Sequence, residues 1–199
     1  MSIAPTPSAE RPDSDSSETA FLTTFDDAYA QCVTSWVRGQ QELLWLAPGT
    51  VWPLTADKVM AWGQERRRRF LLWVEDAQRP VGYAELNEMV GRPDQMWIGH
   101  FIVDPAQRGT GFGTRFAKEL VARAFLDHAA SEVLLVVFPD NAGAIRCYER
   151  AGMKSMGRER KYFKATACEH YVVRMGISEG RFRRLHSRQP THRMSLARD

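Results

Sequence analysis

The chain has only three cysteines in 199 residues, Cys32, Cys147 and Cys168. They are odd in number, far apart and form no Cys-x-x-Cys pair, which excludes a disulfide scaffold and a thiolate zinc knuckle on spacing. No metal site is expected. No apolar stretch approaches the ~20 residues of a membrane span, so no membrane partner is expected. No basic region leads into a hydrophobic run at the N-terminus, so no signal peptide is read, and the expected setting is soluble, reducing and cytoplasmic. An excess of one charge is also missing: Lys and Arg number 27 against 24 Asp and Glu, a formal net charge of +3. Such a balance gives little support for a nucleic-acid partner.

What is present is an ordinary globular composition, 44% hydrophobic and 26% charged. The length suits one domain of the usual ~100–150 residues with tails. Residues 1–19 are Pro/Ser-rich and acidic, and residues 177–199 carry six arginines against Glu179 and Asp199. Both ends lack apolar periodicity, so they read as a disordered N-terminal tail and a flexible basic C-terminal tail around a domain at 20–176.

Within that domain, strand-like and helix-like periods alternate. Phe21–Phe25 reads as a strand, Ala28–Val37 as a helix opened by Asp26 and Asp27, and Ala47–Gly49 as a loop. Thr55 is a candidate N-cap for a second short helix carrying Val59, Met60 and Trp62. Phe70–Val74 and Pro80–Leu86 suggest an antiparallel hairpin, followed by a strand over Trp97–Val103 that Asp104-Pro105 stops. Arg66–Arg69 reads as a solvated run before the first of these strands, with a phosphate contact as the alternative. From Phe112 to His128 the apolar residues fall on a broad 3.6-residue stripe. Val133–Phe138 is a six-residue apolar run, the pattern of a strand buried on both faces. A helix capped by Asn141 and stopped at Gly152 follows, then strands over Lys154–Tyr162 and His170–Met175.

Two segments carry chemistry. Arg108-Gly109-Thr110-Gly111-Phe112-Gly113 lies between a strand and an amphipathic helix. Its glycines let a ligand approach the backbone, and the helix start offers N–H groups and a positive dipole end to an anion. A dinucleotide fingerprint needs a different glycine spacing, and a nucleotide P-loop needs a Lys that is absent here. The same glycines also serve a tight strand-to-helix turn. The second segment is the helix from Asn141, with Ala144 and Tyr148 on it. Tyr148 stands about 10 Å along the axis from its start at ~1.5 Å per residue. A tyrosine there serves either the core or a reaction.

The ordered pair resembles the GCN5-related N-acetyltransferases, the GNAT superfamily. Its Arg/Gln-x-x-Gly-x-Gly/Ala signature is matched by Arg108, Gly111 and Gly113, and its Asn-x-x-Ala-x-x-x-Tyr helix by Asn141, Ala144 and Tyr148. The match is specific over 96–153 and looser on either side. It implies a mixed α/β (α+β) fold: a largely antiparallel central sheet whose parallel fourth and fifth strands splay apart, flanked by about four helices.

The resemblance also implies acetyl-CoA as co-substrate and a primary amine of a small molecule or peptide as acceptor. The pyrophosphate would lie on the amides of Arg108, Gly109, Thr110, Gly111, Phe112, Gly113 and Thr114. The pantetheine arm would pair with the backbone of Phe101, Ile102 and Val103, assisted by Asn141. Tyr148 would be general acid to the leaving thiolate. Where relatives acting on histones or on protein N-termini carry a glutamate on the fourth or fifth strand, this chain has Trp97 and Val136. Glu85 and Glu88 on the third strand and His100 on the fourth are the remaining candidates for a base, Glu85 and His100 being the ones chosen. Trp36, Trp45, Trp52 and Trp62, with Glu42 and Asp57, either hold a cationic amine or form the core of two small helices. Acetylation of a protein lysine or N-terminus, and a non-catalytic acyl-CoA sensor with a basic docking tail, are the rival functions. Family members are often homodimers.

Overall fold

A computed structural model of the chain describes residues 19–62 and 67–187. The seven strands form one mixed sheet: β1 (Ala20–Thr24), β2 (Arg67–Val74), β3 (Gly82–Met89), β4 (Arg92–Val103), β5 (Glu132–Val137), β6 (Lys154–Phe163) and β7 (Cys168–Ser178). Their spatial order is β1-β2-β3-β4-β5-β7-β6, and every pair is antiparallel except β4 with β5. Among the described residues six α-helices flank it: α1 (Ala30–Ser35), α2 (Gln40–Leu46), α3 (Ala56–Ala61), α4 (Phe112–Leu126), α5 (Ala142–Arg150) and α6 (Glu179–His186).

Side-chain alternation along β2 divides the interior in two. Phe70, Leu72 and Val74 face one core, where Phe116, Leu120, Val121 and Phe125 of α4 pack with Tyr148, Ile177 and Phe182. Leu71 faces the other, with Val33, Trp36, Leu43, Val59 and Trp62 from α1–α3. The α4 stripe buries three phenylalanines and Leu120 at or near full depth, each contributing about 1.5–3 kcal/mol. Thr55 caps α3 through Lys58 N, Asn141 caps α5 through Ala144 N, and Gly152 ends α5 at φ +95.

The structure departs from the sequence expectation in four places. There are six α-helices rather than about four; α2 was not anticipated, because Gly39 gives it no side-chain cap. β4 begins at Arg92 rather than Trp97, through five polar-rich residues. The arginine run is not a solvated approach to β2: Arg67–Arg69 are in the strand, and Arg69 bonds the Tyr83 hydroxyl (3.1 Å) and the Val59 carbonyl (2.9 Å). The domain does not stop at residue 176. β7 runs to Ser178 and α6 follows, capped by the Ser178 hydroxyl, with Phe182 packed on Phe125 at 4.8 Å. The remainder of both tails, 1–18 and 188–199, lies outside the described residues, as do 63–66.

Two irregularities in β4 shape the centre of the sheet. Against β3 the register slips by one residue between the pairs Glu85/Gly99 and Tyr83/Ile102, and His100 takes up the extra residue at φ +43. Against β5, pairing covers only Gln95–Trp97 with Glu132–Leu134. Beyond Trp97 both strands continue without pairing to each other, so backbone N–H and C=O groups face a gap that needs a hydrogen-bonding occupant.

Candidate active site

That gap opens into a cleft of about 550 Å³. Its walls come from β4 (Trp97 to Val103), β5 (Val136, Val137), the loop at Arg108 to Gly113, α5 (Ala144, Cys147, Tyr148) and α2 (Glu42, Trp45, Leu46). β6 adds Lys161 and Phe163, and β3 adds Glu85 and Asn87. The Asp140 carboxylate, after β5, ties that connection to α2: it accepts from Trp45 Nε1 (3.0 Å) and Gln41 Nε2 (3.3 Å).

At one end stands the glycine loop. Gly109 (φ +85) and Gly111 (φ +96) occupy left-handed backbone, and a Cβ at either would meet nothing within 4 Å. Conformation, rather than crowding, demands glycine there, and the space over the loop is open. Gly113 differs: its Cβ would touch Cys147 Sγ at 3.4 Å. α4 starts with no side-chain cap, so its first-turn N–H groups remain for an anion. The Arg108 guanidinium already has protein partners. It donates to Glu42 (2.7 Å), the Trp36 carbonyl (3.2 Å) and, through Nε, the Val103 carbonyl (3.1 Å). Burial pushes the Glu42 carboxyl up, but the Arg108 and Arg38 contacts outweigh it and hold it below its ordinary value. The Asn141 carboxamide oxygen is likewise taken up by its capping bond at 3.2 Å.

Tyr148 projects from α5 and is 6% exposed. Phe101 meets its ring edge-on at 5.5 Å. Its hydroxyl makes no hydrogen bond to any described residue, and burial, then the neighbouring Cys147, push it well above the ordinary phenol value. It is a protonated donor with no acceptor among the described residues. Burial also pushes the Cys147 thiol up to about 11, despite a contact from Thr114.

On the other flank of β4, the slipped register brings Glu85 and His100 together. Glu85 is fully buried and accepts from His100 Nδ1 (2.8 Å), the Tyr83 hydroxyl (2.9 Å) and Asn87 Nδ2 (3.1 Å). Desolvation raises the Glu85 carboxyl, yet the contacts with His100, Asn87 and Tyr83 outweigh it and leave it lowered. The His100 ring stacks on Trp62 at 4.1 Å and 13°. Tyr83 is raised far above its ordinary value by burial and by Glu85, against Arg69.

The four N-terminal tryptophans separate. Trp36 and Trp62 are core, Trp45 lines the cleft and Trp52 is exposed. Sequence reasoning did not find Tyr83, Asn87, Lys161 or the Glu42–Arg108 pair as parts of the site. Only the alternation along β3 pointed toward the first two, and nothing local joined residues 66 positions apart. Among the described residues no cluster of His, Cys, Asp and Glu could hold a metal, and no helix is long and apolar enough to cross a membrane.

The architecture is that of solved acyl-transferring enzymes. The aminoglycoside acetyltransferase AAC(6')-Ib in complex with ribostamycin and coenzyme A superposes with a TM-score of 0.70 at 21% identity, over 86% of this chain and 99% of that one. A spermidine N-acetyltransferase from Vibrio cholerae, in complex with CoA and spermine, gives 0.67 at 19% identity over 82% and 97%. At such identities the likeness is one of fold. The family model for the acetyltransferase (GNAT) family matches residues 37–153, and the chain belongs to that family. Similar sequences include the N-alpha-acetyltransferase RimI of Mycobacterium tuberculosis, 34% identical over 96 residues that make up 47% of this chain and 58% of that protein. An aminoglycoside N(6')-acetyltransferase type 1 of Klebsiella pneumoniae is 32% identical over 88 residues, 39% of this chain and 44% of that protein. The chain thus spans about half the length of these relatives.

Proposed function

We propose that the protein is an acetyl-CoA-dependent N-acetyltransferase that moves the acetyl group to a primary amine by direct attack. The observation that carries this reading is the parting of β4 from β5 after Trp97, with Tyr148 at the side of the gap and a glycine-lined helix start at its end. Each part suits a different portion of the co-substrate. The unpaired strand edges suit an amide-bearing arm, the open glycines and free N–H groups suit a pyrophosphate, and the unpartnered phenol suits a sulfur. Bound acetyl-CoA would supply an activated thioester.

The chain's own residues then divide the work. The backbone of Phe101, Ile102 and Val103 holds the arm, and N–H groups of β4 face the carbonyl oxygen as charge develops on it. Tyr148 gives its proton to the departing sulfur as the carbon–sulfur bond breaks. His100, held by Glu85, takes the proton lost by the attacking amine. Family membership and the folds of the CoA-bound neighbours support the reading.

Melting of the full chain with acetyl-CoA, CoA and ATP in separate samples tests it. A ligand at 100 times its Kd adds ~2.7 kcal/mol. A clear rise with acetyl-CoA and CoA, none with ATP, and thiol release on adding an amine are expected. No rise with either CoA species would overturn the proposal.

A further inference from the structure

The Glu85–His100 pair is the end of a hydrogen-bonded chain that crosses three strands, and an inference from that chain rests on the acetyltransferase reading above. Arg69 on β2 donates from Nε to the Tyr83 hydroxyl at 3.1 Å. Tyr83 on β3 donates to Glu85 Oε1 at 2.9 Å, and His100 Nδ1 on β4 meets the same oxygen at 2.8 Å. Asn87 Nδ2 donates to the other carboxylate oxygen at 3.1 Å, although this leaves the Asn87 carboxamide oxygen buried without a partner among the described residues. Tyr83 and Glu85 are fully buried, and the Arg69 side chain is 13% exposed. The Val59 carbonyl (2.9 Å), Asp27 (3.5 Å) and the face of Phe25 (3.8 Å) fix the guanidinium on its remaining sides.

Chemistry gives each proton in this chain one place. A guanidinium has donors only, so the Tyr83 oxygen accepts from Arg69 and its own hydrogen is left for Glu85. A carboxylate has acceptors only, so His100 carries its hydrogen on Nδ1. Neutral His100 then keeps its lone pair on Nε2, and the ring lines the cleft. Stacking on Trp62 and a positive φ fix the ring plane.

We propose that Tyr83 and Arg69 are positioning residues of the reaction: through Glu85 they hold His100 in its Nδ1–H form, with Nε2 as the atom that takes the proton lost by the attacking amine. Tyr83 and His100 share one carboxylate oxygen, so the phenol also limits how strongly Glu85 draws a proton onto the ring. Other titratable groups line the same cleft. They are Lys161 on β6, paired with Glu159 at 3.3 Å, the Glu42–Arg108 pair, and Cys147 and Tyr148 on α5. From the α3 side the ring meets the Trp62 indole. These groups are common to every variant below.

The test is made on the full chain with isotope-labelled histidine rings, His100 being assigned by its loss in His100→Asn. Long-range proton–nitrogen spectra are recorded across pH. The unmodified protein should show the Nδ1–H form of neutral His100. Glu85→Gln, whose carboxamide can also donate, should give a mixture of the two neutral forms. Tyr83→Phe keeps the ring and leaves Glu85 one donor short, so the pair binds its proton more tightly. The midpoint, which belongs to the pair, should rise by about 0.5–1 pH unit relative to the unmodified protein. Adding Glu85→Gln to Tyr83→Phe should cancel that rise, a result that general damage to the core does not produce. Arg69→Met, which releases the Tyr83 oxygen, should move the midpoint in the same direction. The Nε2–H form in the unmodified protein overturns the proposal, whether or not the variants fold. So does an unchanged midpoint in folded Tyr83→Phe. Calorimetric titration with acetyl-CoA reports separately on the acetyltransferase reading. Absence of binding removes that reading and the role of the chain in the reaction with it, whereas binding together with the Nε2–H form overturns the positioning alone.

Discussion

The Glu85 carboxylate and the His100 ring meet at 2.8 Å where β4 carries one residue more than β3. In an unbroken ladder the pairing that sets Gly99 opposite Glu85 would continue to Tyr83, and His100 would follow the alternation of its neighbours. The extra residue, taken up at positive φ, turns the ring toward the buried acid and onto Trp62. The pair therefore depends on a backbone irregularity as much as on the two side chains.

Replacing Glu85 by Gln should change the acid limb of stability. The folded-state value of Glu85 is depressed, so its contribution is complete above the ordinary carboxylate range and is lost as pH falls through the folded value. Thermal melts carried from neutral pH into that range should fall less steeply for Glu85→Gln than for the unmodified protein. A residual slope will remain, because Glu42 is depressed as well. Identical slopes would mean that Glu85 does not titrate differently on folding.

Tyr148→Phe removes a hydroxyl that has no partner among the described residues and leaves the ring's contact with Phe101. Turnover should drop ~10²–10⁴-fold, the usual worth of a positioned acid, with no loss in Tm. A loss of stability with unchanged turnover would assign the phenol to the core.

Gly111→Ala and Gly113→Ala should separate conformation from space. At Gly111 the φ of +96 is the whole objection, costing about 1–2 kcal/mol, and acetyl-CoA affinity should fall with it. Gly113 has ordinary backbone and a 3.4 Å neighbour at the Cys147 sulfur, so its alanine variant should stay close to the parent in Tm and in binding. Calorimetry and melting of the two variants side by side check this.

Arg108→Ala should act on the fold first. It leaves Glu42 and the carbonyls of Trp36 and Val103 without their donor. Charged hydrogen bonds contribute about 1.5–3 kcal/mol each when buried, but the guanidinium is partly exposed, and a net cost of about 2 kcal/mol remains after that discount. Tm should fall by about 4–8 °C. An unchanged Tm with weakened acetyl-CoA binding would place Arg108 in the anion site.

Much of this was legible in the chain. Phe112, Phe116, Leu120 and Ala124 announce α4 by period alone, and Val133–Phe138 announces the central strand by its unbroken apolar run. Arg108, Gly111, Gly113, Asn141 and Tyr148 located the cleft because the motifs are local in sequence. Illegible features were long-range or compositionally disguised. Glu42 and Arg108 are distant in sequence, and only the docking of α2 joins them. The meeting of Glu85 with His100 needs a register slip that no periodicity records. In α6 the arginines hid one buried phenylalanine, since a short helix can attach through a single large side chain when its remaining surface stays in water.

That attachment bears on how the arginine-rich end can be studied. Phe182 fills a place beside Phe125, and Arg181 binds the Gly152 carbonyl at 2.7 Å. A deletion begun at residue 177 would strip charge and core at once, and any lost interaction with an acidic partner would be confounded with unfolding. Cutting after Ser187 instead removes Arg188, Arg193 and Arg198 and keeps every described element, Phe182 and Arg181 included, so a loss of partner binding can be separated from the loss of these core contacts.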